Sequence, residues 1–122
     1  MRTLADFQEF HRWFDAQKGF DEDLSHLMIL LTGEVGEVAQ VLKRILWRAS
    51  LLEAPATEAM GTAVAEYKGS LGDELADCMA YIFKLANNSG IDIHQAYVGK
   101  MERNLGRTWT TPDAPTGSNT AG

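Results

Sequence analysis

The chain has one cysteine, three prolines and three histidines in 122 residues. A single thiol, Cys78, excludes an internal disulfide, and it reads as a small core residue in a reducing compartment. No apolar run approaches the ~20 residues needed to span a bilayer, and the amphipathic start MRTLADFQEF lacks the apolar core of a signal peptide. The expectation is a cytoplasmic protein with no membrane partner. Alternating runs rich in β-branched residues are also missing, which argues against a sheet. Basic residues number 11 against 17 acidic ones, a formal net charge of −6. Phosphate-backbone affinity needs a basic surface, so a nucleic-acid polymer is not an expected partner. A small anionic ligand would have to be held by a metal and by local cations.

What is present is helical periodicity. Apolar residues at three-or-four spacing predict a first helix over residues 4–17, closed by Lys18 and Gly19. A second helix opens at Asp21 or Asp23 and runs to about Ala49, with an apolar side wide enough from Leu24 through Leu31 to suggest burial on two sides. Residues 50–61, SLLEAPATEAMG, read as a connection with one short helical turn. A third helix covers residues 62–88, and a fourth covers 92–105 with Asp92 as N-cap and Ile93, Ala96, Tyr97 and Met101 as its apolar side. Residues 110–122 hold Pro, Gly and small polar residues with little to bury, so the expectation is one domain over 1–109 and a flexible tail. The predicted architecture is all-α, a four-helix bundle with two long antiparallel helices.

Two acidic motifs break the apolar pattern of the long helices. TGEVGEVAQ places Glu34 and Glu37 three apart, and DELAD repeats that spacing with Glu74 and Asp77. Residues three apart share a helix face. Glu34 falls in the stripe Leu27, Leu31, Val38, Leu42, Ile45, and Glu74 falls in the stripe Leu71, Cys78, Tyr81, Leu85, where core residues are expected. Acids so placed repel one another and lose hydration, a cost that a hard divalent cation removes. Oxygen donors without Cys or His point to Mg²⁺, with Mn²⁺ as a substitute. Gly33 and Gly36 flank Glu34 and suit either a close approach of ligand or helix, or small residues packed on a neighbour. A di-iron bundle would need Glu-x-x-His pairs, which neither motif supplies. A non-enzymatic helical interaction module is the other alternative.

The run EVGEVAQ, followed by DELADCMAYIFKLA and then KMERNLGRTW, resembles the MazG-type all-α nucleoside triphosphate pyrophosphohydrolases, a superfamily that includes dCTP pyrophosphatases and dimeric dUTPases. Its ExxE and ExxD signature is matched by Glu34, Glu37, Glu74 and Asp77, although the segment joining the two motifs is longer than usual. The resemblance implies Mg²⁺-dependent cleavage of (deoxy)nucleoside triphosphates to monophosphate and pyrophosphate, in a homodimer or homotetramer. It implies metal ligation by the four acids; Glu37, less embedded in the apolar stripe than Glu34, is the candidate general base. It also implies phosphate contacts from Lys100, Asn104 and Arg107, and sugar or base contacts from Tyr81, His11 and Phe20. A phosphoribosyl-ATP pyrophosphohydrolase is the nearest alternative within the superfamily.

Overall fold

The computed structural model describes residues 2–19 and 23–107, which form four helices and no strand: α1 (Leu4–Lys18), α2 (Leu24–Leu51), α3 (Ala56–Asn88) and α4 (Ile93–Leu105). Expectations for Phe20 and for residues 108–122 lie outside the described residues. Among those described, no helix is long and apolar enough to cross a membrane.

Helix starts follow the capping chemistry of the sequence. Thr3 accepts from the Asp6 amide at 3.1 Å while the Asp6 carboxylate accepts from the Thr3 amide, a closed capping box. Asp23 accepts from the Ser25 and His26 amides and Asp92 from the Gln95 amide. Gly19 ends α1 at φ 65°, a left-handed conformation that costs glycine nothing sterically.

The connection expected over residues 50–61 is corrected to residues 52–55, because α2 continues to Leu51 and α3 opens at Ala56. Pro55 stops one helix and starts the next: it stands at the N-cap position of α3, where a missing N–H removes no helical bond. Ala56, Glu58, Ala59 and Met60 then favour helix, and burial of Ala59 outweighs the weak propensity of Gly61.

The seam between α2 and α3 is the main contact of the fold. Leu27, Val41 and Ile45 are buried on α2, with Ala59 and Ala63 buried on α3. Ala49, Tyr67 and Leu71 pack on the Val41–Ile45–Ala63 cluster. The buried α2 residue after Val38 is Val41, not Leu42, which is 44% exposed. A straight helix drifts relative to a fixed step, and Leu31, Glu34, Val38, Val41 and Ile45 keep the alternating three-four pattern that tracks one seam. Outside it, Arg48 donates to both carboxylate oxygens of Glu66, at 2.8 and 3.2 Å.

Helix α1 docks on α3 and α4. Phe7 and His11 meet Phe83, the His11 ring stacked at 5.5 Å. Gln8 is the clasp: its amide donates to the Ile91 carbonyl at 2.7 Å, and its side-chain oxygen accepts from the Ile93 amide at 3.1 Å. Asn87 in turn donates to the Gln8 backbone carbonyl. A first-turn amide of α4 is thereby satisfied by α1.

Much apolar surface stays uncovered in the protomer. Within the protomer the stretch from Leu24 to Leu31 is buried on one side, at Leu27, while Met28 and Ile29 are exposed, Ile29 by 67%. Trp47 (61%), Leu75, Met79 and Tyr97 are exposed too, and Ala96 and Met101 likewise leave the apolar side of α4 open. Among the described residues no further element lies over them.

Replacing Gln8 by Ala should lower the unfolding free energy by about 2 kcal/mol, since it strips one acceptor and one donor from the α3–α4 turn in a buried position. Urea denaturation measures this, and a loss below about 0.5 kcal/mol would show that the clasp is dispensable.

Candidate metal centre

Glu34 on α2 and Glu74 on α3 occupy facing positions of the shared seam, each partly buried. Asp77 stands one turn beyond Glu74. One carboxylate oxygen from each of Glu34, Glu74 and Asp77 lies within 4.8 Å of the others. The separation follows from the seam itself: Ala59 and Ala63 allow close helix approach at one end, and the acids replace apolar contacts farther along. Glu37, exposed and one turn from Glu34, stands outside this three-oxygen group but still acts on Glu74 electrostatically.

The carboxyl of Glu74 is pushed above its ordinary value of 4.5, first by loss of hydration and then by repulsion from Glu34, Asp77 and Glu37. Cys78 shares the environment: desolvation, followed by Glu34, Asp77 and Glu74, raises its thiol and keeps it protonated. Tyr81 responds in the same sense, through desolvation and then Glu34 and Asp77. A three-carboxylate oxygen set with no sulfur or imidazole donor fits a hard divalent cation, whose charge would reverse the sign of the local potential.

The remaining expected residues are spread more widely. Tyr81 continues the Glu74–Asp77 face by one turn. His11 lies on α1, stacked against Phe83, with its Nδ1 buried and without a hydrogen-bond partner among the described residues. Its imidazole is held below the usual 6.5, chiefly by burial, with Asp15 opposing and Lys84 reinforcing the shift. Lys100, Asn104 and Arg107 belong to α4 and the turn after it, and α4 packs on α1. Lys100 is exposed, and Asn104 turns its amide nitrogen to the Met101 sulfur at 3.9 Å. None of the three is among the groups that act on Glu74 within the protomer. Around Gly33 and Gly36, a Cβ would meet nothing within 4 Å, so packing inside the protomer does not require either glycine.

Lys84 and its partner Asp15 went unnoticed in the sequence. Lys84 is buried, with its ammonium 4.7 Å from the Tyr81 ring centre and 3.7 Å from Asp15 Oδ1. The available signal was a lysine inside the apolar run AYIFKLA, a violation of the same kind as the glutamates.

In metal-free protein, Glu74→Gln should raise the thermal midpoint at pH 7 to 8 by removing a repelled charge. The sign follows from linkage. A raised carboxyl pKa means that the folded chain holds its proton more tightly than the unfolded one, so the destabilisation is full above the folded value. It fades as pH falls towards the ordinary 4.5, and the advantage of the glutamine variant should fade with it. Thermal unfolding in chelator at pH 8 and pH 4 tests this, and a variant less stable than the parent at pH 8 contradicts it.

Comparison with known proteins adds two findings. Residues 22–108 match the MazG nucleotide pyrophosphohydrolase domain. The chain is 30% identical over 107 residues to a protein of Bos taurus named dCTP pyrophosphatase 1, 28% to that of Mus musculus and 29% to that of Homo sapiens, each alignment taking in 86% of this chain. It spans 58–59% of the length of these relatives. The matched segment contains both acidic motifs and all of α2, α3 and α4, and on that basis the chain belongs to the MazG nucleotide pyrophosphohydrolase domain family.

Proposed function

We propose that this chain is a divalent-metal-dependent hydrolase of (deoxy)nucleoside triphosphates that cleaves between the α- and β-phosphates and serves in nucleotide-pool housekeeping. The observation that carries the reading is the convergence of Glu34, Glu74 and Asp77 within 4.8 Å in an otherwise apolar seam. The names of the relatives support the substrate class. Mg²⁺, or Mn²⁺ in its place, would supply Lewis-acid charge that neutralises phosphate oxygens and activates water.

The chain's own residues then divide the remaining work. Glu34, Glu74 and Asp77 hold the ion, and Glu37, outside the three-oxygen group and solvent-accessible, takes the proton of the attacking water. Tyr81, one turn beyond Asp77, packs beside the sugar. Lys100, Asn104 and Arg107 stabilise the charge that grows on the leaving pyrophosphate. In this reading α2 and α3 run antiparallel, as the contacts of Arg48 with Glu66 and of Glu34 with Glu74 support.

A homodimer or homotetramer belongs to the same reading. The exposed apolar side chains of α2, α3 and α4 need cover. A second copy would provide it, and would also bring further cations towards the acidic cluster.

Hydrolysis of a deoxynucleoside triphosphate in ¹⁸O-labelled water tests reaction and assembly together when run on the species resolved by sedimentation. The expected active species is a dimer or larger, and the expected products are labelled monophosphate and unlabelled pyrophosphate, with Glu74→Gln slower by about 10² or more. Label in pyrophosphate, or a nucleoside diphosphate intermediate, contradicts attack at the α-phosphorus. An active monomer contradicts the assembly.

A further inference from the structure

Beyond the acidic cluster, the same face of α3 carries a second group of polar residues. Glu74, Asp77, Tyr81 and Lys84 follow one another at steps of three, four and three, which keeps them on one side of the helix. Lys84 lies seven residues past Asp77, roughly 10 Å along the axis at 1.5 Å per residue. That is about the span from the α-phosphorus of a nucleotide to the far edge of its base.

The groups gathered there are unusual for a helix–helix contact. The Lys84 side chain is 10% exposed and that of Asp15, facing it from α1, is 16% exposed. Their 3.7 Å separation makes an ion pair too long to be a hydrogen bond. Asp15 Oδ1 is left without a hydrogen-bond partner among the described residues, and so is Nδ1 of His11, one turn earlier on α1. Two buried acceptor-capable atoms left unsatisfied one turn apart on α1 are a cost that plain helix packing does not explain. Aromatic faces border them: Tyr81 under the lysine, and Phe83 against the His11 ring. The Gln8–Asn87 contact a turn away, fully satisfied by comparison, shows that this α1–α3 interface is able to pair its polar atoms.

We infer that Asp15 and Lys84 are specificity-determining residues that read the polar edge of the nucleobase between α1 and α3, an assignment that rests on the nucleotide hydrolase reading above. The ligand class is a heterocyclic base that presents an N–H donor next to an acceptor atom. Asp15 Oδ1 takes the N–H, Lys84 donates to the neighbouring oxygen or ring nitrogen, and an aromatic wall receives the ring face. Polyphosphate and sugar have no such edge. Since Asp15 and Lys84 meet where α1 packs on α3, base entry includes a tilt of α1 away from α3. The acids on α3 and the base-reading pair are then successive stations along one helix.

The test compares the four deoxynucleoside triphosphates with 2-deoxyribose 5-triphosphate, which carries the phosphates and sugar but no base. Removing one charge of a buried pair strands the other, so the main variant is the double replacement Asp15→Leu with Lys84→Met, which removes both together. Asp15→Asn, close in shape to the parent, is the second variant and keeps the test open should the double variant fail to fold. The expected result is that kcat/KM for the best nucleotide, divided by that for the base-free triphosphate, falls at least tenfold, while the spread among the four bases narrows. A merely structural pair would lower all five substrates by a common factor and leave these ratios where they were, and that outcome overturns the assignment of Asp15 and Lys84 alone. A parent protein that cleaves no triphosphate at all overturns the hydrolase reading and this assignment with it.

Discussion

Repulsion among carboxylates inside an apolar seam is the constraint on which the rest of this structure depends. Glu34 and Glu74 occupy positions that the packing of α2 on α3 would otherwise give to aliphatic side chains, and Asp77 adds a third charge within reach. The seam holds because hydrophobic contacts at Leu27, Val41, Ile45 and Ala63 offset that repulsion on either side of it. Native proteins tolerate such local conflict where a ligand resolves it. In the reading proposed above that ligand is a divalent cation, and the raised carboxyl of Glu74 and raised thiol of Cys78 report a local potential suited to it.

From that seam the other elements take their roles. Helix α1 lies across the far part of α3, clasped through Gln8 to the turn that begins α4. This brings His11 and Asp15 to Lys84, roughly 10 Å along α3 from Asp77 at 1.5 Å per residue, with Tyr81 between. Helix α4 carries Lys100 and Asn104 with an apolar side that its own protomer leaves open. The protomer thus joins an acidic cluster to large uncovered apolar faces. Among the described residues, the two long helices have too few neighbours to enclose those faces.

The sequence announced most of the architecture, because long helices advertise themselves. Asp23 and Asp92 as N-caps, Gly19 as terminator and the four helical segments were all legible from spacing and capping chemistry. The acidic motifs were legible as violations of the apolar pattern, and their facing positions followed from the pairing of two helices. Residues 56–61 misled, since Pro55 and Gly61 are turn signals when read locally, whereas burial of Ala59 decides for helix. The shift from Leu42 to Val41 depended on the phase of a long helix, which a short window does not determine. Lys84 and Asp15 were missed for a different reason. Asp15 is ordinary on a solvated helix face, Lys84 was signalled only by its place in the apolar run AYIFKLA, and only the docking of α1 on α3 makes them a buried pair.

The most direct test of the central claim is metal binding by the acidic seam, measured apart from any turnover. Titration of the protein with Mn²⁺, followed by the loss of the free-ion paramagnetic resonance signal, should give saturable binding that Mg²⁺ displaces and that Glu74→Gln weakens at least tenfold. Equal Mn²⁺ affinity in the parent and in the correctly folded Glu74→Gln protein would contradict the account.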